Sequence, residues 1–170
     1  RIFDLEKFAA QFAIIDLMYG YHATGANSIY YFNPITNLIE PITREYNSLR
    51  YSEGQPHDED LLIERNNKMF LDKEFSVLYL KKLLRFSDKN YLDVFFEDVD
   101  EAMNIQKNIV YRDDPFYKFP KEYLYERQKQ IIRKLNQDLD IVANIDEDNL
   151  DLYTINISNK SSFPIELIEI

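Results

Sequence analysis

The chain has 170 residues, 45% of them apolar, and a formal charge of −10. That length supports one ordinary core, within the usual ~100–200 residues per domain. The acidic excess argues against a nucleic-acid groove, which needs clustered Lys and Arg to release counterions, and the lack of cysteine removes disulfides, thiolate metal sites and Cys nucleophiles. Only three glycines and six prolines accompany 29% charged residues, a balance that favours long regular segments over low-complexity sequence. Thirteen Tyr and twelve Phe without Trp predict a core packed ring against ring. No apolar run is long enough to span a membrane. Arg1-Ile2-Phe3-Asp4 has neither an initiating Met nor the features of a signal peptide, and the expectation is a piece of a larger soluble protein, mostly helical with one buried β-hairpin.

Between Ile2 and Tyr19, Leu5, Phe8, Ala9, Phe12, Ile15 and Leu17 recur mostly at three- and four-residue steps, which predicts a helix ended by Gly20. After the small-residue loop Ala23-Thr24-Gly25-Ala26-Asn27, the runs Ser28–Phe32 and Leu38–Ile42 flank Asn33-Pro34-Ile35-Thr36-Asn37. This reads as a hairpin, because Pro34 fixes φ at the turn entry and Asn37 tolerates positive φ. Thr43 to Asp60 is polar and punctuated and reads as a long loop. Helices are expected over Leu61–Phe86, interrupted near Asp72, over Tyr91–Val110 with Leu92, Phe95, Phe96, Val99, Ala102 and Met103 in register, and over Glu122–Leu135. Beyond Gln137, Ile141–Ala143, Leu150–Ile157 and Phe163–Ile170 read as strands that begin a β-rich segment. The expected organisation is residues 1–137 as one lobe and 138–170 as the start of that segment.

One stretch, Asp16 to Tyr46, combines a tight loop, a hairpin and polar side chains at its ends. His22 precedes Asn27 by five residues, and Glu45 lies just past the second strand, so the hairpin brings the two ends together. In protein kinases a catalytic-loop Asp precedes a metal-binding Asn by five residues, and an acidic metal ligand follows a short hairpin. From the residues alone, Asn27 is equally a turn residue whose amide bonds loop backbone, and His22 a half-buried helix-terminus residue. Asp16, on an otherwise apolar helix, is either a satisfied buried carboxylate or a catalytic residue that supports the loop.

Phe12-Ala13-Ile14-Ile15-Asp16-Leu17, His22, Asn27 and Tyr30–Ile42 together resemble the helix, catalytic loop and hairpin of the spore coat protein H (CotH) type of atypical kinase-like proteins. The similarity covers about the first quarter of the chain; Leu71–Phe75 and Tyr79–Leu83 are similar to that family's helical C-terminal lobe. The resemblance implies an α+β, kinase-like C-terminal lobe of an ATP- and Mg²⁺- or Mn²⁺-dependent phosphotransferase that acts on a protein hydroxyl, in an extracytoplasmic or cell-surface bacterial setting. The nucleotide-clamping Lys would lie in an upstream N-terminal lobe, so the chain by itself is expected to be inactive. By position, Asn27 would bind metal and nucleotide, Glu45 would be the second metal ligand, and His22 would stand where the general base belongs. The family has Asp at the last two places, and His and Glu are chemically competent replacements. A degenerate, non-catalytic surface or coat scaffold is the alternative.

Other clusters read more plainly. Asp146-Glu147-Asp148-Asn149 lacks the glycine and distal Glu of a calcium loop and reads as a solvated acidic turn. His57 beside Asp58, Glu59 and Asp60 suits the acidic start of a helix, or, with His22, a hydrolytic metal site. Asn156-Ile157-Ser158 and Asn159-Lys160-Ser161 match the glycosylation pattern. The basic run Arg127 to Lys134 reads as a solvated helix face.

Overall fold

In a computed structural model, residues 2–44, 60–65, 67–138, 140–148 and 152–165 are described. They form an α-rich α+β structure with five α-helices and two small antiparallel sheets. Helix α1 (Leu5–Met18) is its axis, and nine of its fourteen residues are buried, from Leu5 to Leu17. Asp4 caps its start by accepting from the Lys7 amide at 3.1 Å. The expected stop at Gly20 falls one residue earlier. Tyr19 takes the left-handed conformation (φ 52°), and the Gly20 amide closes back on the Ile15 carbonyl at 2.8 Å. The Tyr19 ring lies under a guanidinium, described below.

Strands β1 (Ile29–Asn33) and β2 (Leu38–Ile42) form the expected hairpin, with Ile29 opposite Ile42 and Asn33 opposite Leu38. The turn chemistry is local: Asn33 Oδ1 accepts from the Ile35 amide at 2.9 Å and Asn37 sits at φ 55°. Ile2 and Asp4 bond to Ile39 of β2, and Lys7 pairs with Glu40 at 2.7 Å, so the start of α1 is fastened to the hairpin. The hairpin is not buried as expected. Tyr30, Tyr31 and Phe32 are about half exposed on both faces of the two-stranded ribbon, although Tyr30 meets Phe8 of α1 at a centroid distance of 5.7 Å.

The expected helix from Leu61 is instead two 3₁₀ turns, Leu62–Glu64 and Lys68–Leu71, followed by α2 (Lys73–Phe86). The interruption falls at Asp72, whose carboxylate caps α2 through the Phe75 amide at 3.1 Å. Phe75, Tyr79 and Leu83 share one face of α2 and are fully buried against α1, each contributing about 1.5–3 kcal/mol of burial. Phe12, Phe70, Phe75 and Tyr79 meet at centroid distances of 4.9–5.9 Å, mostly edge to face, which is the ring packing the composition predicts.

The single helix expected over Tyr91–Val110 is two, α3 (Tyr91–Asp98) and α4 (Asp100–Val110), bent at Val99 (φ −103°, ψ 6°). Asp100 and Glu101 favour a new N-terminus there, since carboxylates are stabilised at the positive end of a helix dipole. Helix α5 (Lys121–Leu135) packs back on α1 and α2. Its Gln128 amide donates to the Phe86 and Asp88 carbonyls at 2.8 and 3.0 Å, satisfying carbonyls that the end of α2 leaves open. Strands β3 (Ile141–Asp148) and β4 (Leu152–Asn159) form a second, exposed hairpin. The acidic stretch from Asp146 to Asp148 extends β3 rather than turning, and residues 163–165 form no strand: Phe163 returns to the core. No helix among the described residues is long and apolar enough to cross a membrane.

Candidate functional site

The loop between α1 and β1 is built from two 3₁₀ turns, Tyr21–Ala23 and Gly25–Asn27. Gly25, at φ +65° in open space, supplies the left-handed residue that joins them. Thr24 Oγ1 donates to the Tyr21 carbonyl at 2.7 Å. This double turn brings His22 and Asn27 together. The Asn27 amide nitrogen lies 2.9 Å from the His22 carbonyl and 3.2 Å from His22 Nδ1. A carbonyl only accepts, so the atom facing it is the NH₂ group, and Asn27 Oδ1 is turned away from His22. The same nitrogen lies against Nδ1, whose donor or acceptor role follows the tautomer of the ring. Arg44 ends the described part of the second strand's exit, and Glu45 and His57 lie outside the described residues. Among the described residues no group of three or more His, Cys, Asp or Glu side chains is arranged to hold a metal.

Asp16 sits directly behind this loop and is fully buried. Its Oδ2 accepts from the Tyr79 hydroxyl at 2.7 Å, its Oδ1 from the Tyr21 hydroxyl at 2.8 Å, and both oxygens face the Leu62 amide at 3.1 and 3.3 Å. The Tyr21 hydroxyl also lies 2.9 Å from the Asp60 carbonyl; with one proton to give, it favours the charged acceptor. Burial pushes the Asp16 carboxyl up to about 6, against the opposing pull of Tyr79, Tyr21, the Arg127 charge and the Leu62 amide. Burial, followed by the Asp16 charge, also raises both tyrosines.

The cation of this cluster is Arg127, expected from its basic run to be solvated and found to be 1% exposed. Its Nε donates to the Asp16 backbone carbonyl at 2.8 Å, Nη1 to the Tyr19 hydroxyl and Nη2 to the Tyr21 hydroxyl, both at 2.9 Å. The guanidinium carbon lies 3.8 Å from the Tyr19 ring centroid, and its nearest approach to the carboxylate is 4.0 Å. Arg127 therefore pins the backbone where α1 turns into the loop more directly than it pairs with the Asp16 side chain. The signal for it is in the sequence: Leu124, Arg127 and Ile131 fall on one helical face, so Arg127 occupies a core position of α5. Asp16, Tyr19, Tyr21, Tyr79 and Arg127 form a platform that fixes the start of the His22–Asn27 loop.

No family model, curated protein or solved structure matches the chain.

Proposed function

We propose that the chain is the C-terminal lobe of a CotH-like, ATP- and metal-dependent phosphotransferase in which Asn27 supplies an oxygen to the metal. The observation that carries this reading is the amide of Asn27, whose nitrogen is engaged by His22 so that its oxygen is the atom left to meet a metal. Mg²⁺ is usually held by one or two protein groups plus phosphate oxygens and water. One carboxamide and one carboxylate, Asn27 with Glu45, are therefore a sufficient protein contribution. Bound ATP with its metal would supply the transferable phosphoryl group and neutralise its charge; the chain's own part is to orient, through the Asp16–Arg127 platform and the His22 bond. An upstream lobe would close over the nucleotide.

A second reading, a non-catalytic scaffold with a degenerate kinase-like lobe, is favoured by the contact between His22 Nδ1 and the Asn27 amide at 3.2 Å, which engages one ring nitrogen of the residue that stands where a base is needed.

The test is a thermal-shift titration of the longer protein, with its upstream lobe, using ATP and Mn²⁺. At a hundred times Kd a native-state ligand adds about 2.7 kcal/mol. The catalytic reading expects a metal-dependent rise in Tm that Asn27→Ala removes, together with phosphate transfer to a hydroxyl acceptor. A shift without transfer favours the scaffold, and no shift, or one indifferent to Asn27→Ala, overturns the nucleotide site.

A further inference from the structure

Between α1, α3, α4 and the segment entering α5 lies a concave apolar cavity of about 540 Å³. Its floor is the buried core, with Leu17, Leu92 and Phe96 all under 7% exposed, and its wall is Met103 of α4. Ligand sites commonly span ~300–1,000 Å³, whereas engineered voids that stay dry and empty are nearer 150 Å³. Helix α4 has no buried residue at all, although Ala102, Met103 and Val110 all face the cavity. The cavity occupies the place where that face would otherwise find its core, and it is open to solvent on one side.

Among the described residues, Lys107 is the single charged one that lines the cavity, Gln106 precedes it on α4, and no carboxylate lines it. In a chain of net charge −10, this is a lone cation on an apolar slot. We propose that the cavity binds a single-chain anionic amphiphile, a long-chain fatty acid. Its alkyl chain runs along Leu17, Phe96 and the adaptable Met103, and its carboxylate meets Lys107 and Gln106. The site lies on the α3–α4 side of α1 and stands whether or not the phosphotransferase reading holds.

Native mass spectrometry and displacement of a fluorescent fatty acid test it, with palmitate kept below its micelle concentration and with hexadecanol and hexadecyltrimethylammonium as head-group controls. The expected result is one equivalent of palmitate, weaker hexadecanol and no competition by the cation. Lys107→Glu weakens palmitate by about tenfold or more, the scale of a lost charge-assisted bond, and leaves hexadecanol little changed. Ala102→Phe, which places a ring in the slot from an exposed position of α4, removes the binding of both palmitate and hexadecanol while the circular dichroism stays native. Palmitate that does not bind, palmitate no tighter than the cationic amphiphile, or wild-type binding by Ala102→Phe overturns the proposal. Recruitment to phosphatidylglycerol vesicles without binding of monomeric palmitate also overturns it, and makes the face a membrane contact.

Discussion

Replacing Arg127 by Met keeps an unbranched side chain in a fully buried place and removes the guanidinium that bonds the Asp16 carbonyl, Tyr19 and Tyr21. At pH 7.5 the Asp16 carboxyl of the wild type, with its folded pKa of about 6, is ionised, and in the variant it must either stay charged without its cation or take up a proton against the pH. Removing one partner of a buried pair costs about 3–5 kcal/mol. At pH 5 Asp16 carries a proton in wild type and variant alike, since losing the Arg127 charge moves its pKa further up. Only the lost hydrogen bonds then remain, about 1–3 kcal/mol. The destabilisation should therefore grow by about 2 kcal/mol from pH 5 to pH 7.5. Urea unfolding followed at 222 nm at the two pH values measures it. A penalty of the same size at both would refute the claim that Arg127 acts on the ionised carboxylate, and would leave it a backbone clamp alone.

Asp16→Asn isolates the carboxylate itself. Its folded pKa, about 6, lies above the unfolded 3.8, so the stability held by the neutral form is complete below 3.8 and lost as pH rises through 6. About two units at ~1.4 kcal/mol each give about 3 kcal/mol. Wild-type stability minus that of Asp16→Asn should fall by that amount between about pH 3.5 and 7.5 in paired urea titrations, and a flat difference would contradict the buried, ionisable assignment. Gln128→Leu should lower stability by about 1–3 kcal/mol by stranding the Phe86 and Asp88 carbonyls. Gln128→Glu should not restore it in thermal melts at neutral pH, because a carboxylate cannot donate to them.

The local parts of this fold were legible because their causes are local. The interruption at Asp72 and the turn from Asn33 to Asn37 are each written within a few residues. The apolar spacing from Leu5 to Leu17 found α1 for the same reason. The exposure of Tyr30, Tyr31 and Phe32 was not legible, since a continuous aromatic strand reads the same whether its faces are covered or left half open. Nor was the bend at Val99, where the apolar rhythm runs on unbroken and only the paired acids at Asp100 and Glu101 mark a new start. At the site, the bond from the Asn27 amide to the His22 carbonyl is the one expected of a turn residue that ties down loop backbone. Arg127 escaped because its charge pointed outward by habit while its partners lie on other helices; only its position in the Leu124–Ile131 rhythm betrays it. Glu45 lies outside the described residues, so the sequence alone speaks for it.

The partners gathered around Asp16 and Arg127 come from far apart in the chain. Asp16 takes Tyr21 five residues on, Leu62 at 46, Tyr79 at 63 and Arg127 at 111. During synthesis, at ~5–20 residues per second, the helix that carries Asp16 leaves the ribosome well before α5. A nascent chain halted anywhere before Arg127 therefore holds a carboxylate that it can neither bury cheaply nor neutralise. The interior closes only when nearly the whole lobe has emerged, which makes every prematurely ended product a ready substrate for proteases and chaperones.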